Sequence, residues 1–169
     1  MSDNNFEQHT LNYVTANRFY VELESNIQAA FSECSGLQAK VKKEVIYEGG
    51  VNDQQRILIG ATEYTDVTLK RGITDNLAFC EWMTKTIQPG PKVRRNINIL
   101  LFNQAGETVQ CWTLLGAMPI AWKAPSLQAN GNSVALEELI LAYEGLKISN
   151  SGGGGATILK ERDKTGTFS

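Results

Sequence analysis

One helical pattern in an otherwise strand-like chain constrains the fold most strongly. Four apolar residues are spaced i, i+3, i+4 and i+8, which is typical of one face of a helix: Phe79, Trp82, Met83 and Ile87. Thr74 or Asp75 provides an N-cap, and Pro89-Gly90-Pro91 ends the segment because proline cannot continue the hydrogen-bond ladder. The pattern predicts one α-helix over about residues 75–87, with the four apolar residues as its core anchors.

Most of the remaining chain alternates apolar and polar residues, as half-buried strands do. The predicted strands include Phe19–Leu23, Val41–Tyr47, one long strand over Ile57–Lys70 and a last one over Val134–Leu146. Short polar turns, such as Asn130-Gly131, separate them. The sequence therefore predicts a mainly β fold, an antiparallel β-barrel or sandwich with one flanking α-helix.

Counting along the long predicted strand divides its side chains between two faces. One face takes Ile57, Ile59, Ala61, Val67 and Leu69. The other face takes Thr62, Tyr64, Asp66, Thr68 and Lys70. Glu63 and Thr65 interrupt the apolar face, so this face is not expected to be buried along its whole length.

The chain has 169 residues, enough for one domain with a hydrophobic core. Residues 1–16 are polar and form a predicted N-terminal arm, and residues 17–149 form the predicted β domain. From residue 150 to residue 169 a run of four glycines and a charged end predict a flexible tail.

The charge balance and the apolar segments exclude several classes of protein. A formal net charge of −2 gives no strong electrostatic attraction for nucleic acid. The polar start lacks the apolar core of a secretory signal, and no segment reaches the roughly 20 apolar residues that span a bilayer. Synthesis and folding in the cytoplasm are therefore expected.

The residues that carry catalysis are not grouped in this sequence. His9 is the single histidine and lies in the predicted arm. Glu137 and Glu138 are adjacent on a predicted strand, so their carboxylates point to opposite faces and cannot work as an acid–base pair. No group of residues has metal-ligand spacing, and the glycine run lacks the lysine of a phosphate-binding loop. We expect no enzyme, no metal and no cofactor.

Two basic pairs flank the predicted helix: Lys70-Arg71 and Arg94-Arg95. They could bind phosphate, but acidic residues lie between them throughout the chain. Bracing or inter-subunit ion pairs with carboxylates such as Glu137 and Glu138 are favoured.

Some predicted strands are apolar on both faces, such as Leu139-Ile140-Leu141 and Ile99-Leu100-Leu101-Phe102. A small domain has one core, so a second apolar face needs a second burial surface. With a single short helix available, another copy of the chain is the expected cover.

An ordered set of motifs resembles the tail tube family of contractile phage tails and contractile injection systems, to which the haemolysin-coregulated protein of type VI secretion is related. The resemblance covers most of the chain, from about Phe19 to Leu146. Its motifs are FSECSGL at 31–37, YEGG at 47–50, VTLKRGIT at 67–74, RRNI at 94–97, AMPIAW at 117–122 and VALEELILAYEGL at 134–146.

The resemblance implies an inner-tube subunit without catalysis. Six copies form a ring whose strands join into one β-barrel, and rings stack into a hollow tube that a contractile sheath drives through a target membrane. The implied partners are further copies, the sheath protein, baseplate or spike proteins, tube-terminator proteins, and cargo protein or DNA in the lumen. The assembled tube would belong to a phage tail, an extracellular particle or a cell-anchored apparatus.

By the same analogy, a loop is expected to contact the next ring and a set of strand residues to line the lumen. The expected ring-stacking residues are Glu48, Gly49, Gly50, Asn52 and Asp53. The expected lumen residues are Lys40, Lys42, Glu44, Thr62, Tyr64, Asp66 and Thr68. The alternative from another class is a β-barrel carrier that binds a small apolar ligand inside one monomer.

Overall fold

A computed structural model describes residues 19–23, 26–29, 31–50, 53–103 and 105–150. The predicted arm over residues 1–16 and the glycine run of the predicted tail lie outside this part. The elements are β1 (Phe19–Leu23), β2 (Asn26–Ala29), β3 (Glu33–Ser35), β4 (Ala39–Ile46), β5 (Arg56–Tyr64), β6 (Val67–Gly72), α1 (Ala78–Ile87), β7 (Arg95–Phe102), β8 (Thr108–Lys123), β9 (Leu136–Ala142) and β10 (Gly145–Ser149).

Strand β8 is long enough to belong to two sheets. Its first half pairs with β7 and β10, and the first sheet continues from β7 to β1 and β2. Its second half pairs with β9, and the second sheet continues through β6 to β3. All these pairings are antiparallel. The predicted mainly β architecture with one helix is confirmed, and it is an open sandwich rather than a closed barrel.

The chain turns from one sheet to the other at Gly116, whose φ is 61°. A side chain is disfavoured in this left-handed region, and a Cβ placed there would lie 2.7 Å from Oε2 of Glu144. The Gly116 amide donates to Oδ1 of Asn96 at 3.1 Å, and the Glu144 amide donates to the Leu115 carbonyl at 2.9 Å. These contacts fix the corner of the sandwich.

The inner faces of the two sheets meet in one core. The first sheet contributes Val21, Leu23, Ile97, Ile99 and Leu114, and the second contributes Val67, Leu69, Leu139 and Leu141. Helix α1 adds Phe79 and Trp82, both almost fully buried. The Trp82 indole N–H donates to the Val93 carbonyl at 2.9 Å, which joins the helix to the segment leading into β7.

Helix α1 is shorter than predicted at its start. It begins at Ala78 because Thr74 and Asn76 use their side chains in a preceding turn: Thr74 Oγ1 accepts from the Asn76 amide and Asn76 Oδ1 accepts from the Ala78 amide. Of the four predicted anchors, Phe79 and Trp82 are buried and Met83 is partly buried, but Ile87 is 70% exposed. The last turn of the helix has no core beneath it.

Two of the predicted long strands are broken. The segment over 57–70 divides into β5 and β6 at Thr65 and Asp66, and the segment over 134–146 divides into β9 and β10 at Tyr143 and Glu144. In both places the chain leaves one pairing and begins another, which the alternation of side chains does not reveal. The break at Thr65 and Asp66 also changes which side chains of β5 and β6 lie on the same surface of the molecule.

We predict that Gly116→Ala lowers the free energy of unfolding by about 1–2 kcal/mol, because the left-handed backbone becomes strained. The new methyl group also displaces Glu144 from its contact with Arg94. Gly72→Ala is the matched control, since its Cβ would meet its nearest neighbour at 3.9 Å. Chemical denaturation of both variants tests this, and equal stability of the two variants would contradict it.

Candidate assembly interface

The hairpin formed by β4 and β5 stands away from the sandwich. Within the described part of the chain, each of these strands pairs only with the other, and most of their residues are exposed. A two-stranded hairpin alone is marginally stable in water and needs cover for an apolar face. The hairpin is therefore a candidate surface for contact with another molecule.

Cross-strand partners point to the same side of a hairpin, so the pairing register defines its two faces. The first, here the apolar face, carries Val41, Lys43 and Val45 from β4 opposite Thr62, Ile59 and Ile57 from β5. Val41 is 44%, Ile57 47% and Ile59 75% exposed. This face continues the core side of the second sheet, because Tyr64 at its base packs its ring 5.3 Å from that of Tyr143.

The opposite side, here the polar face, is dominated by charge. It carries Lys40, Lys42, Glu44, Arg56 and Glu63, together with Ile46 and Leu58. Lys42 Nζ lies 2.6 Å from Oε1 of Glu63, and this hydrogen-bonded partner raises the pKa of Lys42. The hairpin is thus amphipathic, with one mainly apolar face and one mainly charged face.

The structure divides the residues expected to line the lumen between these faces. Lys40, Lys42 and Glu44 lie on the polar face, whereas Thr62 and Tyr64 lie on the apolar face, and Asp66 sits at the break before β6. These residues do not share one face of the molecule, for two reasons. A bulge opposite Lys42 in β5 changes the parity of the side chains once, and the break at Thr65–Asp66 changes it again.

The predicted ring-stacking loop lies at the tip of the hairpin, between the end of β4 and the start of β5. Glu48 is held by Arg56, with 2.8 Å between Oε1 and Nη1, and Gly50 adopts a φ of 97°. Gly49 and Asp53 are exposed beside them, and Asn52 lies outside the described residues. The tip is the part of the hairpin farthest along the strands from the core.

The second sheet has two open edges in the described structure. Strand β3 pairs with β6 alone, and the end of β8 from Met118 to Lys123 pairs with β9 alone. Its outer surface carries Thr68, the remaining predicted lumen residue, beside Ser35 and Ile140. Open edges are available for strands from another chain.

The basic pairs mostly form ion pairs inside the subunit. Arg71 is 2% exposed and its guanidinium donates to the Glu137 carboxylate and to the Asn76 carbonyl, while the Trp122 indole N–H donates to the same carboxylate at 2.9 Å. The Arg71 guanidinium also lies over the ring of Phe79, 5.4 Å from its centroid. This buried network ties β6, β9, β8 and the helix together.

The other members of the basic pairs are nearer the surface. Arg94 Nε lies 2.7 Å from Oε1 of Glu144, and Arg95 stacks on Trp82 at 5.5 Å from the ring centroid. Lys70 contacts two carboxylates, including that of Glu138. As predicted, Glu137 and Glu138 point to opposite faces, the first into the core and the second outward.

The apolar strand residues that suggested a second copy are largely covered within one chain. Leu100 and Phe102 are each at most 2% exposed, in a small cluster with Cys111 and Tyr20, and Leu139 and Leu141 belong to the main core. That part of the sequence argument was wrong. Exposed apolar side chains occur at several places on the described surface, and the hairpin carries a group of them on one face: Val41, Ile57 and Ile59.

Within the part of the chain that the structure describes, the titratable groups do not form a reactive centre. Burial, with a smaller effect of Glu33, raises the pKa of the Cys34 thiol to about 11, and burial also raises the pKa of Cys111. Both thiols are therefore protonated and weakly nucleophilic at neutral pH. Among the described residues no cluster of histidine, cysteine and carboxylate could hold a metal ion, and no helix is long and apolar enough to cross a bilayer.

Two cavities bear on the carrier alternative. The one beside Arg71, Cys80 and Trp122 has a volume of about 10 Å³, room for a water molecule at most. The larger, about 310 Å³, is an open groove lined by residues such as Phe19, Leu37 and Trp112. Neither encloses a small apolar ligand, so the carrier alternative gains no support from them.

These surfaces, an amphipathic hairpin and open sheet edges on a braced sandwich, define a structural subunit suited to self-assembly. The chain belongs to the family described as T4-like virus tail tube protein gp19, whose model matches residues 15–147. It is therefore a tail tube protein by family, and the members of this family are structural proteins rather than enzymes. No curated protein matches the sequence.

Solved structures share the fold. A chain of the anti-feeding prophage tube-terminating cap has 24% identity and a TM-score of 0.76, covering 89% of this chain and 100% of that chain. The anti-feeding prophage baseplate, 6-fold symmetrised, contains a chain with 23% identity and a TM-score of 0.72, covering 83% and 97%. The extended PVC sheath–tube complex, an extracellular contractile injection system, contains one with 23% identity and a TM-score of 0.72, covering 83% and 94%.

The likeness in fold extends to type VI secretion. A solved type six secretion system protein has 11% identity to this chain and a TM-score of 0.51. The match covers 77% of this chain and 81% of that chain. The expected relation to type VI secretion tube proteins therefore holds for the fold.

The buried pair of Arg71 and Glu137 generates a prediction about stability. Glu137→Leu should cost about 3–5 kcal/mol, because it leaves the Arg71 charge buried without its partner. The double variant Arg71→Met with Glu137→Leu should recover most of that loss, since neither charge is then buried. Unfolding curves of the single and double variants measure the coupling. If the stability lost in the double variant equals the sum of the losses from Arg71→Met alone and Glu137→Leu alone, the two residues are not coupled and the bracing role is wrong.

Proposed function

We propose that the protein is an inner-tube subunit that acts by assembly alone. Copies associate side by side into a ring, and rings stack into a hollow tube that carries cargo or DNA. The observation that carries this proposal is the hairpin of β4 and β5, whose apolar face is exposed in a single chain. Covering that face with a neighbouring copy removes the apolar side chains from water.

The open edges explain how the ring closes. The second sheet and the hairpin together form four strands side by side. The first is β3 continued by β4, the second is β6 continued by β5, and the third and fourth are β9 and the end of β8. In the ring, the β3–β4 edge of one copy lies beside the β8 edge of the next, which covers the two open edges of the second sheet. The outer surface of this sheet then faces the lumen, with Thr68 and the charged polar face of the hairpin.

The solved structures of similar chains support a number of copies and a set of partners for this proposal. The anti-feeding prophage baseplate that contains a similar chain is described as 6-fold, which supports a hexameric ring. The PVC complex pairs sheath with tube, and the anti-feeding prophage cap terminates a tube. We infer corresponding sheath, baseplate or spike, and terminator partners here, in a phage tail or an injection particle. Sheath contraction drives the tube through a target membrane.

Stacking uses the tip of the hairpin. Its loop, which includes Glu48, Gly49, Gly50 and Asp53, is held in shape by the Glu48–Arg56 pair and projects away from the core. A polar, exposed loop at the end of a long hairpin is suited to contact the adjacent ring. The contact between rings would thus use a different part of the hairpin from the contact within a ring.

The purified protein is predicted to form rings or tubes visible by negative-stain microscopy. Ile59→Glu should abolish them while leaving the melting temperature unchanged, because Ile59 is 75% exposed in one chain and a charge on the apolar face cannot be buried against a neighbour. Lys40→Glu is the matched control on the polar face of the same hairpin and should retain rings.

Two outcomes would contradict the proposal. A wild-type protein that stays monomeric at high concentration, and adds no rings to native sheath and baseplate, is not a tube subunit of this kind. Rings of Ile59→Glu that match the wild type would show that the apolar face is not the contact.

A further inference from the structure

Four charged residues form one rung across the outer surface of the second sheet. Glu33 of β3 pairs in register with Lys70 of β6, Lys70 with Glu138 of β9, and Glu138 with Lys123 of β8. All four side chains lie on the same side of the sheet because they are direct cross-strand partners. Their signs alternate from one edge of the sheet to the other.

The two middle residues of the rung have an ion-pair partner on each side, and the two end residues are more exposed to solvent. Lys70 Nζ lies 3.2 Å from Oε2 of Glu33 and 3.9 Å from Oε1 of Glu138, and Lys123 Nζ lies 3.9 Å from Oε2 of Glu138. The side chains of Lys70 and Glu138 are each 29% exposed, against 49% for Glu33 and 75% for Lys123. Among the residues that the structure describes, each end residue has an ion-pair partner on one side only, and the two ends carry opposite charges on the two open edges.

We propose that the rung continues from copy to copy, with Lys123 of one subunit paired to Glu33 of the next. The proposal rests on the ring described above and identifies a contact within it. Each copy contributes four strands to this sheet. Because four is an even number, neighbouring strands still run in opposite directions where one copy meets the next. The alternation of charge is preserved as well, so the signs continue around the ring without a mismatch.

This contact would select the register between subunits. A shift by one residue moves every side chain of a strand to the other face, so a wrong register removes Lys123 from the surface that carries Glu33. Complementary charges discourage such arrangements more than they strengthen the right one. The rung also leaves the surface around it without net charge, because every positive group has a negative neighbour.

Charge reversal at the two ends tests the pair. Glu33→Lys alone places two lysines at each contact between copies, and Lys123→Glu alone places two glutamates there. Each single variant should raise the concentration needed for half-maximal ring formation by about tenfold or more at low salt. Mass photometry across a dilution series measures this, and melting temperatures check that each variant is folded.

Mixing the two variants in equal amounts is the decisive measurement. In a ring that alternates E33K with K123E copies, every contact again joins a lysine to a glutamate, so rings should return toward the wild-type concentration. Each variant alone, at the same total concentration as the mixture, is the control and should stay below its own threshold for rings. The altered contacts inside each chain are the same in the mixture and in the two single-variant samples, so they cannot account for a difference.

The proposal is overturned if the mixture of E33K and K123E assembles no better than either variant alone, or if both single variants assemble as the wild type does. If a reversal variant does not fold, Glu33→Gln and Lys123→Gln replace it. The neutral double variant should then assemble no worse than either single one, and additive losses would reject the pair. Failure of the wild type to form rings would instead reject the proposed function.

Discussion

The crossing of β8 from one sheet to the other is the constraint on which the rest of the structure depends. Because Gly116 allows the turn, the first half of the strand completes one layer and the second half begins the other. The same turn leaves the end of β8 as an open edge. At the opposite edge, β3 continues into a hairpin that leaves the body. A single corner therefore produces both the core of the subunit and the surfaces through which it assembles.

Stability and assembly use different parts of the molecule. The buried Arg71–Glu137 pair, together with Trp122 and helix α1, braces the second sheet where β6, β9 and the end of β8 lie side by side. A buried ion pair adds little net stability over apolar residues, but it is costly to break and so fixes one arrangement. A rigid sheet matters for a ring, because small errors in the angle between subunits accumulate around it. The contact that we propose with another chain uses instead the apolar face of the hairpin.

The sequence predicted the class of fold, the helix and the family, because alternation and turn residues are local signals and the motifs are specific. Phe79 and Trp82 were expected in the core and are there. The faces of the hairpin were not predictable, because the bulge in β5 and the break at Thr65–Asp66 are set by pairing with distant strands. The covered positions of Leu100 and Phe102 are likewise a tertiary property. The charged rung has no local signal, since its members are spread from residue 33 to residue 138.

The central claim is that the hairpin closes the ring with its apolar face against a neighbour and its polar face toward the lumen. A cryo-electron microscopy reconstruction of the assembled tube tests it directly, since it shows the side chains of both faces at once. The account predicts that Ile57 and Ile59 are buried against an adjacent subunit and that Lys40, Lys42 and Glu44 point into the channel. A tube in which Ile57 and Ile59 line the channel, or in which the hairpin contacts no other copy, would contradict it.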